Sequence, residues 1–284
     1  MRVAPPRVFP VPARSPRPAV GTPGADTHRQ TGFVLGGEVE LVIEGLTLEG
    51  RIAEHLAGPK TRKQPVAAVL AHWSRGWLAR LEALHGVETG NYVSALALIR
   101  AAADYAAADI AMVRTSGEEW VEWLEDGGLA LAPAQHATEF RLHPFRSAEV
   151  LAGHEVLGRV YRGATDLALP HFGSTLLLAG SESDPNRVAV TFGDRDFHVG
   201  LAEIALGWLL ELSAAQLTAV AEASELLPAQ SFGPAVSAFA AGASQAVNRH
   251  DRCRIEAIDV DGLPRVIVQN FRRTPSSAPG RVLL

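Results

Sequence analysis

The longest regular pattern of apolar residues in this chain lies between Asn91 and Val113. Within it, apolar side chains recur every three or four positions, at Tyr92, Leu96, Ile99, Ala103, Ala106, Ile110 and Val113. This spacing places them on one face of an α-helix. Because the middle of the face is alanine, a second helix can approach it closely. We therefore predict that this segment is the central helix of a bundle.

Similar stripes predict the neighbours of this helix. One begins near Pro65, a residue type favoured at the first helical position. Its apolar face consists of Val66, Val69, Leu70, Trp73, Trp77, Leu81 and Leu84. The connection between Gly86 and Gly90 is short, which predicts an antiparallel helix pair. The same periodicity predicts three further helices, over residues 148–163, 197–226 and 234–248. The predicted bundle spans residues 64–250.

Two stretches near the chain ends have the pattern of β-hairpins. Partial alternation of polar and apolar residues on both sides of Gly36-Gly37 predicts a hairpin within residues 31–60. Asp261-Gly262 lies between two β-rich runs, which predicts a second hairpin over residues 252–271. The predicted fold class is therefore mainly α: an antiparallel helical bundle with a small β element formed by the N- and C-terminal hairpins.

The two ends of the chain show little regular pattern. Residues 1–30 contain seven prolines and several arginines, and the first acidic residue is Asp26. Such a segment buries too little surface to offset its ordering entropy, so a disordered tail is predicted. A basic arm for an acidic partner is the alternative. Residues 272–284 are predicted to be frayed.

The composition limits the class of protein. Of 284 residues, 47% are hydrophobic and 20% charged, which is ordinary globular usage. A net charge of −5 gives no general electrostatic reason to expect nucleic-acid binding. The single cysteine, Cys253, rules out an internal disulfide and is typical of a reducing cytoplasm. Since no apolar run approaches the roughly 20 residues that span a bilayer, we predict a cytoplasmic protein without membrane contact. The usage of Ala, Arg, Gly and Pro is typical of bacteria.

A candidate ligand site involves Arg100 and Asp104, which lie one helical turn apart beside the central stripe. The stretch Ser94–Asp104, together with Leu167–Ser174, resembles a set of uncharacterised bacterial helical proteins. That resemblance implies that Arg100, Asp104 and His171 are the positions to examine, and it carries no established activity. Alternatively, Arg100 and Asp104 simply pair on the helix surface, which contributes only a few tenths of a kcal/mol.

A second candidate site involves Arg80 and His85, which form Arg-x-x-x-x-His on the tryptophan-bearing helix. This motif resembles the signature of the HEPN family (higher eukaryote and prokaryote nucleotide-binding), small helical bundles that include ribonucleases. The resemblance implies that Arg80 and His85 border a dimer cleft and act on a scissile phosphate. The alanine-rich stripes and the tryptophans also favour a homodimer.

Two patterns resemble metal sites. Glu82 and His85 have the Glu-x-x-His spacing of di-iron bundles, but the chain lacks the second copy that such sites need. Asp194, Asp196 and His198 offer oxygen and imidazole ligands, but helix capping by either aspartate explains them without a metal. There is no dinucleotide-binding glycine motif, P-loop or Cys-x-x-Cys. No metal and no cofactor are predicted.

Two function classes follow, and the sequence does not decide whether the protein is an enzyme. The first is a non-catalytic binding or interaction module with a polar cleft near Arg100, Asp104 and His171. The alternative is a HEPN-like ribonuclease of a bacterial defence or toxin system that uses Arg80 and His85. RNA is a partner only under the alternative, and the small-molecule or protein partner of the first class is unknown.

Overall fold

The computed structural model describes ten parts of the chain: residues 7–8, 15–56, 63–118, 120, 147–170, 175, 177–178, 183, 187–223 and 226–283. The helices in these parts are α1 Ala25–Val34, α2 Gly36–Leu56, α3 Gln64–Glu88, α4 Tyr92–Arg114, α5 Ser147–Gly153, α6 Glu155–Ala168, α7 Val199–Glu222 and α8 Gly233–Val247. The strands are β1 Arg254–Val260, β2 Leu263–Phe271 and β3 Gly280–Leu283. The protein is therefore mainly helical, as predicted, and its small antiparallel sheet is formed by strands near the C-terminal end.

Helix α4 is the buried centre of the bundle, which confirms the prediction from its apolar stripe. Every stripe residue from Tyr92 to Ile110 is buried, and Val113 is half-buried. Helix α3 packs against it as an antiparallel partner, with Gly76 beside Tyr105 and Gly86 beside Ala95. The small residues permit this close approach of the two helices.

Helix α7 lies parallel to α4. The backbone N–H of His198, at the start of α7, donates to the hydroxyl of Tyr92, at the start of α4, over 3.1 Å. Farther along both helices, Gln216 of α7 lies beside Asp109 of α4. The sequence offset is 106 positions at the first contact and 107 at the second, so the two helices run in the same direction and nearly in register.

Helix α7 is also the most apolar helix in the described part of the chain. It is long and apolar enough to cross a membrane, yet 67% of its most apolar window is buried inside the protein. This burial is consistent with the core helix of a soluble protein. The cytoplasmic location itself stays a prediction.

The predicted N-terminal hairpin is wrong, because residues 31–60 contain the end of α1 and all of α2 up to residue 56. The buried apolar residues of this region follow a helical period: Leu35, Val39, Val42, Leu46, Ile52 and Leu56. Gly36 and Gly37 begin α2 instead of forming a turn. Gly45 lies where α2 crosses α8, since a Cβ there would meet the ring of Phe239 at 2.5 Å.

The C-terminal hairpin is confirmed. Strands β1 and β2 pair antiparallel with Val260 opposite Leu263, so the turn consists of Asp261 and Gly262. Both residues have positive φ, 55° and 77°, which is the geometry of the favoured two-residue hairpin turn. The prediction that residues 272–284 are frayed is wrong, since β3 pairs with β2 and completes a three-stranded sheet.

Buried charges attach this sheet to the helices. Arg252, only 2% exposed, donates to Glu38 of α2 over 2.5 Å and to the backbone carbonyl of Glu203 in α7. The Glu203 carboxylate accepts from Arg272 at 2.8 Å and from the backbone N–H of Cys253 at 3.1 Å. These contacts fix the chain segments on both sides of the hairpin against α7.

Candidate functional site

A groove of about 760 Å³ runs along the C-terminal half of α7. Its floor is one face of α7 made mostly of small residues: Ala214, Ala215, Thr218, Ala219 and Ala223. One wall is formed by the end of α4 and the start of α6, and the opposite wall by α8. From Glu211 to Glu222 the floor is about 16 Å long at the rise of an α-helix. The volume lies in the range of small-molecule sites.

The middle of the groove is apolar. Ile110, Val113 and Val156 lie on one wall, and Ala240, Ala243 and Val247 lie on the other. The alanines leave space that larger side chains would fill, because no Cγ atoms project from them. The centre of the groove therefore suits an apolar group.

Charged residues mark one end of the groove. Arg159 of α6 donates to Glu211 of α7 over 2.5 Å, and the carboxylate side chain is 14% exposed. Burial raises the pKa of Glu211, and the neighbouring Arg159 opposes that rise. The two charges compensate each other, so this end is electrostatically satisfied.

The other end carries Arg114, His154 and Glu222. The backbone N–H of Leu157 donates to Nδ1 of His154, which caps α6. Burial, together with the positive charge of Arg114, lowers the pKa of His154. The lowered pKa favours the neutral imidazole. Because Nδ1 accepts a hydrogen bond, the ring proton is on Nε2, which is a hydrogen-bond donor.

The predicted site residue Arg100 lies in α4 at a different level of the bundle. Its guanidinium donates to the Thr165 hydroxyl at 3.1 Å and to the Tyr161 hydroxyl at 2.9 Å, and it lies 5.0 Å from the centre of the Tyr161 ring. Asp104 is half-buried on the next turn. Fourteen residues separate Arg100 from Arg114, about 21 Å along the helix, so the Arg100 site is remote from the charged end of the groove at Arg114.

The third member of that predicted site, His171, lies outside the described residues. Whether Arg100, Asp104 and His171 share one cleft therefore stays a prediction.

Arg80, the first residue of the HEPN-like motif, is buried in the core. Its guanidinium forms a bidentate ion pair with Glu49 of α2, with nitrogen–oxygen distances of 2.6 and 2.7 Å. It also donates to the Ser213 hydroxyl at 2.9 Å and to the backbone carbonyl of Gly76 at 3.1 Å. Trp73 donates to the same Glu49 carboxylate at 2.6 Å. All three guanidinium nitrogens have protein partners, which supports a structural role.

His85, the other residue of that motif, lies near the surface with 22% of its side chain exposed. Its Nδ1 atom is 3.6 Å from the Glu82 carboxylate on the same helix. Five positions separate His85 from Arg80, which directs the two side chains to different sides of α3.

The aspartates before α7 form a local turn. Asp194 accepts from the backbone N–H of Asp196 at 2.8 Å and from His198 Nε2 at 3.2 Å. Helix α7 begins at Val199 with His198 as its capping residue, so the prediction that either aspartate caps the helix is wrong. Within the described residues, no group of three or more His, Cys, Asp or Glu side chains could hold a metal ion.

Asp109 of α4 is a buried carboxyl group in the core of the bundle. Burial raises its pKa well above the usual value, although Gln216 and Arg80 favour the ionised form. Gln216 lies close by, yet neither carboxylate oxygen has a partner with hydrogen-bond geometry in the described part of the chain. A protonated carboxyl group avoids the cost of a buried, unpaired charge.

Sequence reasoning missed the groove. Its floor is an alanine-rich face, and alanine serves helix packing as often as it lines a cavity. The charged residues at its ends come from three different helices, and no short motif joins them. The one usable signal was the cluster of small residues beside Glu211 and Glu222 in the second half of α7.

Comparisons with protein-family models, with curated proteins and with solved structures found no match.

Proposed function

We propose that this protein is a binding module whose groove along α7 takes a small amphipathic molecule. The observation that carries this proposal is the groove itself: about 760 Å³, apolar in the middle and charged at both ends. A site of this kind binds through its apolar surface and orients the ligand through a few polar groups.

This proposal keeps the binding class predicted from the sequence and moves the ligand site along α4. At the Arg100 site the guanidinium already donates to Tyr161 and Thr165. At the groove, Arg114 and Glu222 have no ion-pair partner within the described part of the chain. Charges without protein partners are the ones available to a ligand.

The test uses 8-anilinonaphthalene-1-sulfonate, a fluorescent probe with an apolar body and one charged group. We expect saturable binding to the wild-type protein with one site per chain. Thr218→Trp places an indole in the groove from an exposed position, so the fold should tolerate it. This variant should bind the probe at least about tenfold more weakly.

The matched control is Ala238→Trp, which adds the same side chain at an exposed position of α8 outside the groove. The control should bind the probe as the wild type does. Unchanged binding to folded Thr218→Trp, or no saturable binding to the wild type, would overturn the proposal.

The ribonuclease alternative stays a prediction, and none of the described contacts of Arg80 favours it. Its guanidinium is held by Glu49, Ser213 and Gly76 in the core. RNA cleavage that persists through purification and disappears in His85→Ala would support it.

A further inference from the structure

We propose that the ligand of this groove is a zwitterion with an apolar body, of the α-amino-acid type: a carboxylate and an ammonium group close together. This inference rests on the proposed function. It concerns the end of the groove where α4 and α7 terminate and α6 begins.

Two opposite charges, Arg114 and Glu222, lie at this end of the groove. Helices α4 and α7 run parallel and nearly in register, as the contacts of Tyr92 with His198 and of Asp109 with Gln216 show. That register brings Arg114 to nearly the same level as Glu222. Both line the groove and both are exposed. One positive and one negative group therefore face the same end of the groove.

Neither of these two charges has an ion-pair partner among the described residues, whereas the charges at the opposite end pair with each other. Arg159 and Glu211 already contact each other at 2.5 Å. No ion pair of Arg114 or Glu222 occurs within the residues that the structure describes. A simple anion would meet Glu222 beside Arg114, and a simple cation would meet Arg114 beside Glu222. A zwitterion satisfies both groups.

The groups around these two charges include both hydrogen-bond donors and the carbonyl end of a helix. His154 presents a neutral ring with its proton on Nε2, and α6, a helix of 14 residues, begins directly after it. These donors add to Arg114 as partners of a carboxylate. Glu222 is the last residue of α7, and the carbonyl end of a helix favours a cation. The same end of the groove therefore offers a carboxylate side and an ammonium side.

Beyond this charged end, the floor of the groove is apolar. From Glu222 the groove continues over Ala219, Ala215 and Ala214 towards the closed ion pair. An apolar side chain that extends from the charged group would cover this surface and exclude water from it. The geometry thus points to an apolar amino acid or a similar zwitterion.

The experiment measures the affinities of three matched probes by titration calorimetry. L-phenylalanine carries both charges, 3-phenylpropionate lacks the ammonium group, and 2-phenylethylamine lacks the carboxylate. We expect L-phenylalanine to bind to the wild type at least about tenfold more tightly than either of the others, because each loses one charge-assisted contact.

Two variants should each weaken the preference for the zwitterion and favour one of the singly charged probes. Arg114→Gln should weaken the binding of L-phenylalanine about tenfold or more. It should bind 2-phenylethylamine more tightly than the wild type does. Glu222→Gln should weaken the binding of L-phenylalanine to a similar extent. It should bind 3-phenylpropionate more tightly than the wild type does. Arg51→Gln and Glu54→Gln, exposed positions of α2 away from the groove, are the matched controls and should leave all three affinities unchanged.

The outcomes separate this inference from the proposed function. Equal binding of L-phenylalanine and 3-phenylpropionate to the wild type would overturn the zwitterion, as would folded variants with unchanged preferences. If none of the three probes binds while the fluorescent probe still binds in the groove, the zwitterion fails and the proposed function stands. If the fluorescent probe also fails to bind, both fail.

Discussion

The buried ion pair between Arg80 and Glu49 gives the sharpest test of how the bundle is held together. Both side chains are at most 3% exposed, and two nitrogen–oxygen contacts of 2.6 and 2.7 Å join them. Arg80→Met keeps the apolar stem and removes the charge. The Glu49 carboxylate is then buried with the Trp73 indole as its remaining donor among these contacts.

Removing one partner of a buried pair costs about 3–5 kcal/mol, because the other charge is left uncompensated. We expect this loss in the free energy of unfolding, measured with guanidinium chloride and far-UV circular dichroism. In a thermal melt it corresponds to a fall of roughly 6–20 °C. Removing both charges with Arg80→Met and Glu49→Leu should cost less than Arg80→Met alone, since neither member of this pair is then left as an uncompensated charge.

The matched control is Arg29→Met, which breaks an ion pair of 2.7 Å with Asp26 at the surface. Those side chains are 64% and 68% exposed, so solvent screens the pair and no measurable change is expected. The reasoning is refuted if Arg80→Met is as stable as the wild type, or if the double variant is no more stable than the single one. The ribonuclease alternative expects the opposite pattern, in which Arg80→Met abolishes RNA cleavage and keeps its stability.

Two further predictions concern backbone geometry and pH. Gly90→Ala should lower the free energy of unfolding by about 1–3 kcal/mol, because φ is +76° and a Cβ would overlap the Arg195 carbonyl group. Gly50→Ala is in α2, where an added Cβ would have no contact within 4 Å, so it should instead raise the free energy of unfolding by about 0.5–1 kcal/mol. Equal effects of the two substitutions in a urea titration would contradict this reasoning. Because burial raises the pKa of Asp109, the folded protein holds a proton that the unfolded chain releases, and stability should fall as pH rises above the usual carboxyl pKa. Asp109→Asn removes this ionisation, so its unfolding free energy should fall less steeply than that of the wild type between about pH 4 and pH 8, and equal slopes would count against a protonated Asp109.

The helices that could be predicted from the sequence are those with long, uninterrupted stripes. Helix α4 has seven stripe positions without a break, and the structure buries six of them. Helix α2 was misjudged because Gly36-Gly37 and the local alternation around Val39 resemble a hairpin over a few residues. The helical period of its buried residues becomes clear only over the full length from Leu35 to Leu56.

The buried charges were harder to foresee than the helices. Glu49 and Arg80 lie 31 positions apart, and Glu38 and Arg252 lie 214 apart. Sequence spacing carries no information about such pairs. The available signal was a charge next to a stripe position: Arg80 follows Trp77 by three residues and lies on the buried face of α3. The groove was hidden for a similar reason, since its charged ends come from helices that are distant in sequence.

The parallel arrangement of α4 and α7 has a consequence for how the chain finds its structure. The antiparallel turn from α3 to α4 joins its ends through three residues, whereas Tyr92 and His198 meet across 106 positions. Bringing ends together over the longer span costs roughly 3 kcal/mol more in chain entropy. Because pairing over long separations slows folding, we expect α4 and α7 to dock after the α3–α4 hairpin has formed, and the groove to be complete only after that docking.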